Sequence, residues 1–206
     1  MSNNFALLKQ QIPTLRNISE VPREINFFAQ EALRFYSIAE MLCESFSLDN
    51  ISIEERQTTH ILARSLLENY FWLIYIFDDG NQRKARYDEK LNAFKREYSK
   101  LMNDPLVPQK EKLDRAEPNW ISLKKPLDVN SMLSQVKNDY GEPLNYLYFV
   151  YRVASFDTHG NSMENLFKQS FGKSCSFPAL NLRFVFDLIA NQYLVILKEL
   201  CDASEV

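Results

Sequence analysis

The chain has 206 residues, 46% of them hydrophobic and 13% aromatic, which excludes a disordered chain and suffices for one domain with a real core. Its formal net charge of -3 excludes a generally basic nucleic-acid binder but leaves room for a local basic patch. Cys43, Cys175 and Cys201 lack paired spacing and read as buried or half-buried thiols of a reducing compartment, neither a disulfide framework nor a zinc site. No basic leader followed by an apolar run opens the sequence, and no apolar run is long enough to span a bilayer. The expectation is a cytoplasmic protein without a membrane segment.

Only four glycines occur, and the apolar residues recur at helical spacing, so the expected fold is all-α: a single-domain antiparallel bundle of five to six helices over 22–206. Residues 1–21 form an N-terminal arm, either mobile or carrying a short docking helix. Pro22 suits the first position of a helix, and Ile25, Phe28, Ala32, Phe35, Ala39, Leu42 and Phe46 carry its apolar face to about Ser47. Ser52 with Glu55 spells a capping box for a second helix reaching Asp78. That helix is apolar on nearly all sides and should be the central one. Arg64 and Glu68 interrupt it one turn apart and should pair with each other or with another helix. His60, among polar residues near its start, reads as exposed.

After an Asp79-Gly80-Asn81 turn, a third helix runs from about Gln82 to Met102, with Leu91, Phe94, Tyr98 and Leu101 inward and a Lys/Arg-rich outer face. From Arg83 to Lys125 there are twelve Lys and Arg against seven acids, net +5, which leaves about -8 to the remainder. A long proline-rich loop, 103–129, follows, with Trp120 reading as a core plug. A short helix from Asn130 to about Asn138 is capped by Asn130 or Ser131. Pro178 begins the last helix, with Leu182, Val185, Ile189, Tyr193, Ile196 and Leu200 as its buried stripe.

The chemistry concentrates between Pro143 and Asn161. Leu144, Leu147, Val150 and Ala154 make an apolar helix face, with Tyr146, Phe149, Val153 and Phe156 beside it. Asn145, Tyr148, Arg152, Ser155 and His159 step by three or four along another face. An ordinary solvent face would carry Lys and Glu, and this one has neither. A fixed guanidinium two turns from an imidazole can cleave phosphodiesters: the imidazole takes a proton from a ribose 2′-hydroxyl, and the guanidinium steadies the phosphate. Ser155 lies between them, and Tyr148 could bond a phosphate or stack a base. Asp157 and Asn161 flank His159 as cap or turn residues, either of which could fix the imidazole tautomer. No metal-ligand spacing occurs, and this chemistry calls for neither metal nor cofactor.

Arg152, six intervening residues, then His159 resembles the arginine–histidine signature of the HEPN superfamily, with Val153 where that signature usually has a polar residue. The resemblance implies a small all-helical domain acting as a metal-independent ribonuclease or RNA-binding relative, with Arg152 and His159 as its catalytic pair. It further implies a homodimer, an RNA substrate, and a bacterial toxin–antitoxin or phage-defence setting with a partner protein. ARSLLEN in the second helix, together with Tyr151, Ser155, His159, Gly160 and Ser162, is also similar to a little-characterised bacterial helical family over about residues 55–165. That likeness joins Arg64 and Glu68 to the cluster, with Glu68 orienting His159 or neutralising Arg152. Two other functions fit the same residues. One is a non-catalytic protein–protein interaction module whose polar cluster locks helices in register. The other is a small-ligand or nucleotide sensor using the cleft, closed by Tyr148, Arg64 and Arg152.

Overall fold

Polar side chains fix where several helices begin. The Glu55 N–H donates to Ser52 Oγ (3.2 Å) while the Ser52 N–H donates to Glu55 Oε2 (3.0 Å), the reciprocal cap the sequence spells. Asn3, Asp128 and Asn181 each accept a backbone N–H three residues on, from Ala6, Ser131 and Phe184. In this computed structural model residues 3–19, 24–48, 51–137, 141–159, 163–174 and 180–206 are described. They form nine α-helices and two 3₁₀ turns: α1 (Asn4–Gln10), α2 (Ile12–Ile18), α3 (Glu24–Ser45), α4 (Ile53–Phe77), α5 (Arg83–Asn103), the turns Lys110–Lys112 and Pro118–Ser122, α6 (Val129–Leu133), α7 (Gly141–Thr158), α8 (Met163–Phe171) and α9 (Leu182–Asp202). The protein is all-α, with more helices than the five or six expected, because short helices fill segments read as an arm or as turns. Among the described residues no helix is long and apolar enough to cross a membrane.

Several boundaries differ from the sequence reading. Asp128, extended at φ -74° and ψ 165°, caps α6 in place of Asn130 or Ser131, and the helix ends at Leu133. The last helix starts at Leu182 behind Asn181. Pro22, Gly160, Asn161, Ser162, Cys175 and Pro178 lie outside the described residues. Of the other two cysteines, Cys43 is half-buried, and its burial raises the thiol pKa; Cys201 is exposed, on the outer side of the last turn of α9.

The chain divides into two compact units, Met1–Tyr70 with Asn138–Val206, and Phe71–Lys137. The core of the first is aromatic at its centre: Tyr193 meets Phe28 (6.1 Å), Phe35 (5.2 Å) and Tyr70 (6.1 Å), all between ring centroids. Leu182, Val185, Ile189, Tyr193, Ile196 and Leu200 are all buried, as their spacing predicts. Residues 4–18 dock here: Leu8 and Leu15 are fully buried, Phe5 stacks on Tyr36 (5.2 Å), and Asn4 with the Phe5 N–H bonds Asp187 of α9. On α7, Leu144, Leu147, Val150 and Ala154 are buried as expected, and Val153 with them. Phe149 and Phe156 are 40% and 47% exposed, because steps of three and four put them on one side with Arg152 and His159.

In the second unit, α5 does not bury the apolar stripe expected of it. Phe94, Leu101 and Leu91 are exposed, at 61%, 43% and 37%. Cations at the helix start cover the rings of α4 instead. Arg83 lies over the Phe77 ring, Arg86 over Tyr75 and Lys90 over Trp72, at 5.1, 4.4 and 4.6 Å from the centroids. Arg86 also donates to the Tyr75 carbonyl (2.6 Å) and reaches the buried Asp78 (3.7 Å). Further along, Arg96 donates to the carbonyls of Ile121 and Leu123, pinning the proline-rich loop. Trp120 is half-buried against Tyr98 and Lys95.

Candidate functional site

α7 and the part of α4 before Phe71, both in the first unit, make the site. α7 stays helical to its end, and the His159 N–H still donates to the Ser155 carbonyl (3.2 Å), so Arg152, Ser155, Phe156 and His159 remain on one face. With Tyr151, and Arg64 from α4, they line an open pocket of about 330 Å³. Arg152 and His159 are exposed, and neither side chain has a hydrogen-bond partner among the described residues. Both are available to a ligand.

Arg64 is held in place. It donates to Glu68 Oε2 (2.5 Å) and to the Tyr151 hydroxyl (3.1 Å), and its guanidinium carbon lies 5.0 Å from the centre of the Tyr151 ring. Its Nε–H is buried without an acceptor among the described residues. Burial raises the Tyr151 pKa, only partly countered by Arg64, so the phenol stays protonated near neutral pH. The Ser155 hydroxyl donates to the Tyr151 carbonyl (2.7 Å), which leaves its oxygen to accept from a ligand.

Behind the pocket sits a pair that sequence reasoning assigned otherwise. His60 is 4% exposed, and its Nδ1 is 2.7 Å from Oδ2 of the equally buried Asp157. An ionised carboxylate only accepts, so Nδ1 carries the proton. Burial pushes the His60 pKa down, a larger effect than the upward pull of Asp157, and Arg56 adds to the lowering. Arg56 in turn lies 4.0 Å from Glu164 of α8. His60 is therefore neutral at pH 7, and Asp157 fixes the tautomer of His60, having been expected beside His159. Because its sequence neighbours are polar, His60 read as exposed; its partner is 97 positions away.

Of the expected site residues, Arg152, His159, Ser155 and Arg64 converge on the pocket. Glu68 pairs with Arg64 and is absent from the lining with Arg152 and His159. Tyr148 stacks along Tyr151 (6.2 Å, 22°) outside the lining. Asn161 lies outside the described residues. Phe156 was missed as a lining residue, and Tyr151 entered only through the family likeness: both line the pocket from α7, a signal that the two-face reading of that helix hid. Among the described residues no three His, Cys, Asp or Glu side chains are grouped to hold a metal ion.

A protein-family model matches residues 26–174, which include all of this site, and is described as a family of unknown function, DUF5677. The chain belongs to DUF5677. No curated protein and no solved structure matches it. In this DUF5677 member the α4 and α7 side chains lining the pocket all fall within the matched span.

Proposed function

We propose that the protein is a HEPN-like endoribonuclease working without a metal ion, with Arg152 and His159 as its catalytic pair. The observation that carries this reading is that both side chains are exposed, without a hydrogen-bond partner among the described residues, and in one pocket. His159 takes the proton of a ribose 2′-hydroxyl, and the 2′-oxygen attacks the adjacent phosphorus. Arg152 holds the non-bridging oxygens as charge builds on them. The 5′-oxygen leaves with a proton from water, and a 2′,3′-cyclic phosphate remains. Ser155 accepts from a substrate hydroxyl. The same reading makes the protein a cytoplasmic homodimer of a bacterial toxin or phage-defence system.

A nucleotide sensor is the second reading, favoured by the second guanidinium, Arg64, in the same pocket. The interaction-module reading needs Arg152 and His159 tied into the helix packing, and their exposure without a hydrogen bond among the described residues speaks against it. The test is RNA cleavage in EDTA by wild type and His159→Ala, with folding checked by far-UV circular dichroism. Cleavage leaving cyclic phosphate ends, reduced about 10²–10⁴-fold by the substitution, is the expected result. Cleavage that His159→Ala leaves intact, or none by wild type, refutes the assignment.

A further inference from the structure

The lining joins two kinds of group that rarely share a small pocket without a ligand to match. Arg64 and Arg152 present two guanidiniums from different helices, and beside them Phe156, 47% exposed, presents an aromatic ring. Guanidiniums match the oxygens of a phosphate, and an exposed ring matches the face of a base. A volume of about 330 Å³ is at the small end for ligand sites and suits about one nucleotide, with the open mouth leaving the rest of a strand outside. Arg64 is also pre-positioned. Glu68 and Tyr151 fix its guanidinium, so little ordering of that side chain remains when a phosphate arrives. Its charge is tempered, since Glu68 cancels much of it.

We propose that this pocket is a single-nucleotide subsite in which Arg64 and Arg152 grip one phosphate of an RNA strand and Phe156 stacks on the base attached to it. Arg64 is a binding residue here, acting on the substrate from a helix that carries none of the arginine–histidine motif. The inference builds on the ribonuclease reading but is tested apart from it, by binding in place of cleavage.

The experiment is calorimetric titration of the full chain carrying His159→Ala with the 3′-monophosphates of the four common ribonucleosides, the parent nucleosides, and inorganic phosphate. At least one 3′-monophosphate should bind, with affinity falling as salt rises. Its nucleoside should bind at least tenfold more weakly. Arg64→Ala should weaken the nucleotide at least tenfold, and Arg64→Lys should recover only part of that, since a single ammonium cannot reproduce the fork. Phe156→Ala should weaken the nucleotide roughly tenfold while leaving inorganic phosphate unchanged. Glu68→Gln keeps an oxygen for Arg64 and removes the counter-charge, so the nucleotide should bind as tightly or more tightly. Nucleosides binding as well as their phosphates, or a folded Arg64→Ala chain with unchanged affinity, would overturn the proposal. Nucleotide binding without RNA cleavage upholds this subsite and removes the ribonuclease. Cleavage that depends on His159, with no nucleotide bound by the pocket, does the reverse.

Discussion

His60→Ala is the substitution whose outcome the structure constrains most tightly. The imidazole and the Asp157 carboxylate are 5% and 4% exposed and 2.7 Å apart, so each has lost nearly all of its water. Removing the imidazole takes one donor from a buried carboxylate, and losing a hydrogen bond to a charged group costs about 1.5–3 kcal/mol. Taking both side chains away removes the stranded group as well. The double variant His60→Ala/Asp157→Ala should therefore be more stable than the sum of the single losses predicts, by about 1–3 kcal/mol. The assay is urea unfolding followed by far-UV circular dichroism, because Trp72 and Trp120 both belong to the 71–137 unit and report on the wrong part of the chain. The pair also sets a pH signature. Burial lowers the His60 pKa below its ordinary value of about 6.5, so the unfolded chain binds the proton more readily. The stabilisation is complete above about pH 6.5 and is lost as pH falls through the folded-state value. His60→Gln should flatten that part of the stability profile. A loss below about 1 kcal/mol for His60→Ala, or strict additivity in the cycle, would refute the reasoning.

Ser52→Ala removes one half of the reciprocal cap on α4 and should cost about 1 kcal/mol, read as a lower thermal midpoint. Arg86→Ala strips the ring of Tyr75, its carbonyl and Asp78 of one shared partner. It should cost about 3 kcal/mol, visible by tryptophan fluorescence because Trp72 lies in the same unit. Phe94→Ser, at a position 61% exposed, should change stability by no more than about 0.5 kcal/mol; a loss of several would restore the inward-facing stripe that the spacing of α5 suggests.

What the sequence made legible is what neighbouring residues decide among themselves. The Ser52–Glu55 cap, the buried stripe of α9 and the inner face of α7 all follow from contacts within a few residues, and each appears where spacing puts it. The orientation of α5 depends on something else. A pattern that sorts charged residues outward cannot register that Arg83, Arg86 and Lys90 lay their charges and stems across Phe77, Tyr75 and Trp72. His60 was hidden for a similar reason, since only packing brings Asp157 to it. Half of the pocket was legible for the same local reason as the stripes, since Arg152, Ser155 and His159 share one face of one helix. No spacing within α7 announces Arg64, which only the likeness to a helical family joined to the cluster.

The division of labour on α7 decides which substitutions can speak about function. Asp157 stands between Phe156 and His159 in the sequence yet points the other way, into the packing against α4. One helical register thus holds the core-facing anchor and the solvent-facing cluster, and loosening the first displaces the second. Loss of activity in His60→Ala or Asp157→Ala would then follow from loss of stability and would say nothing about chemistry. His159 and Arg152 are exposed and make no side-chain hydrogen bond among the described residues, so a substitution there that abolishes cleavage while leaving the unfolding midpoint in place can be charged to the reaction.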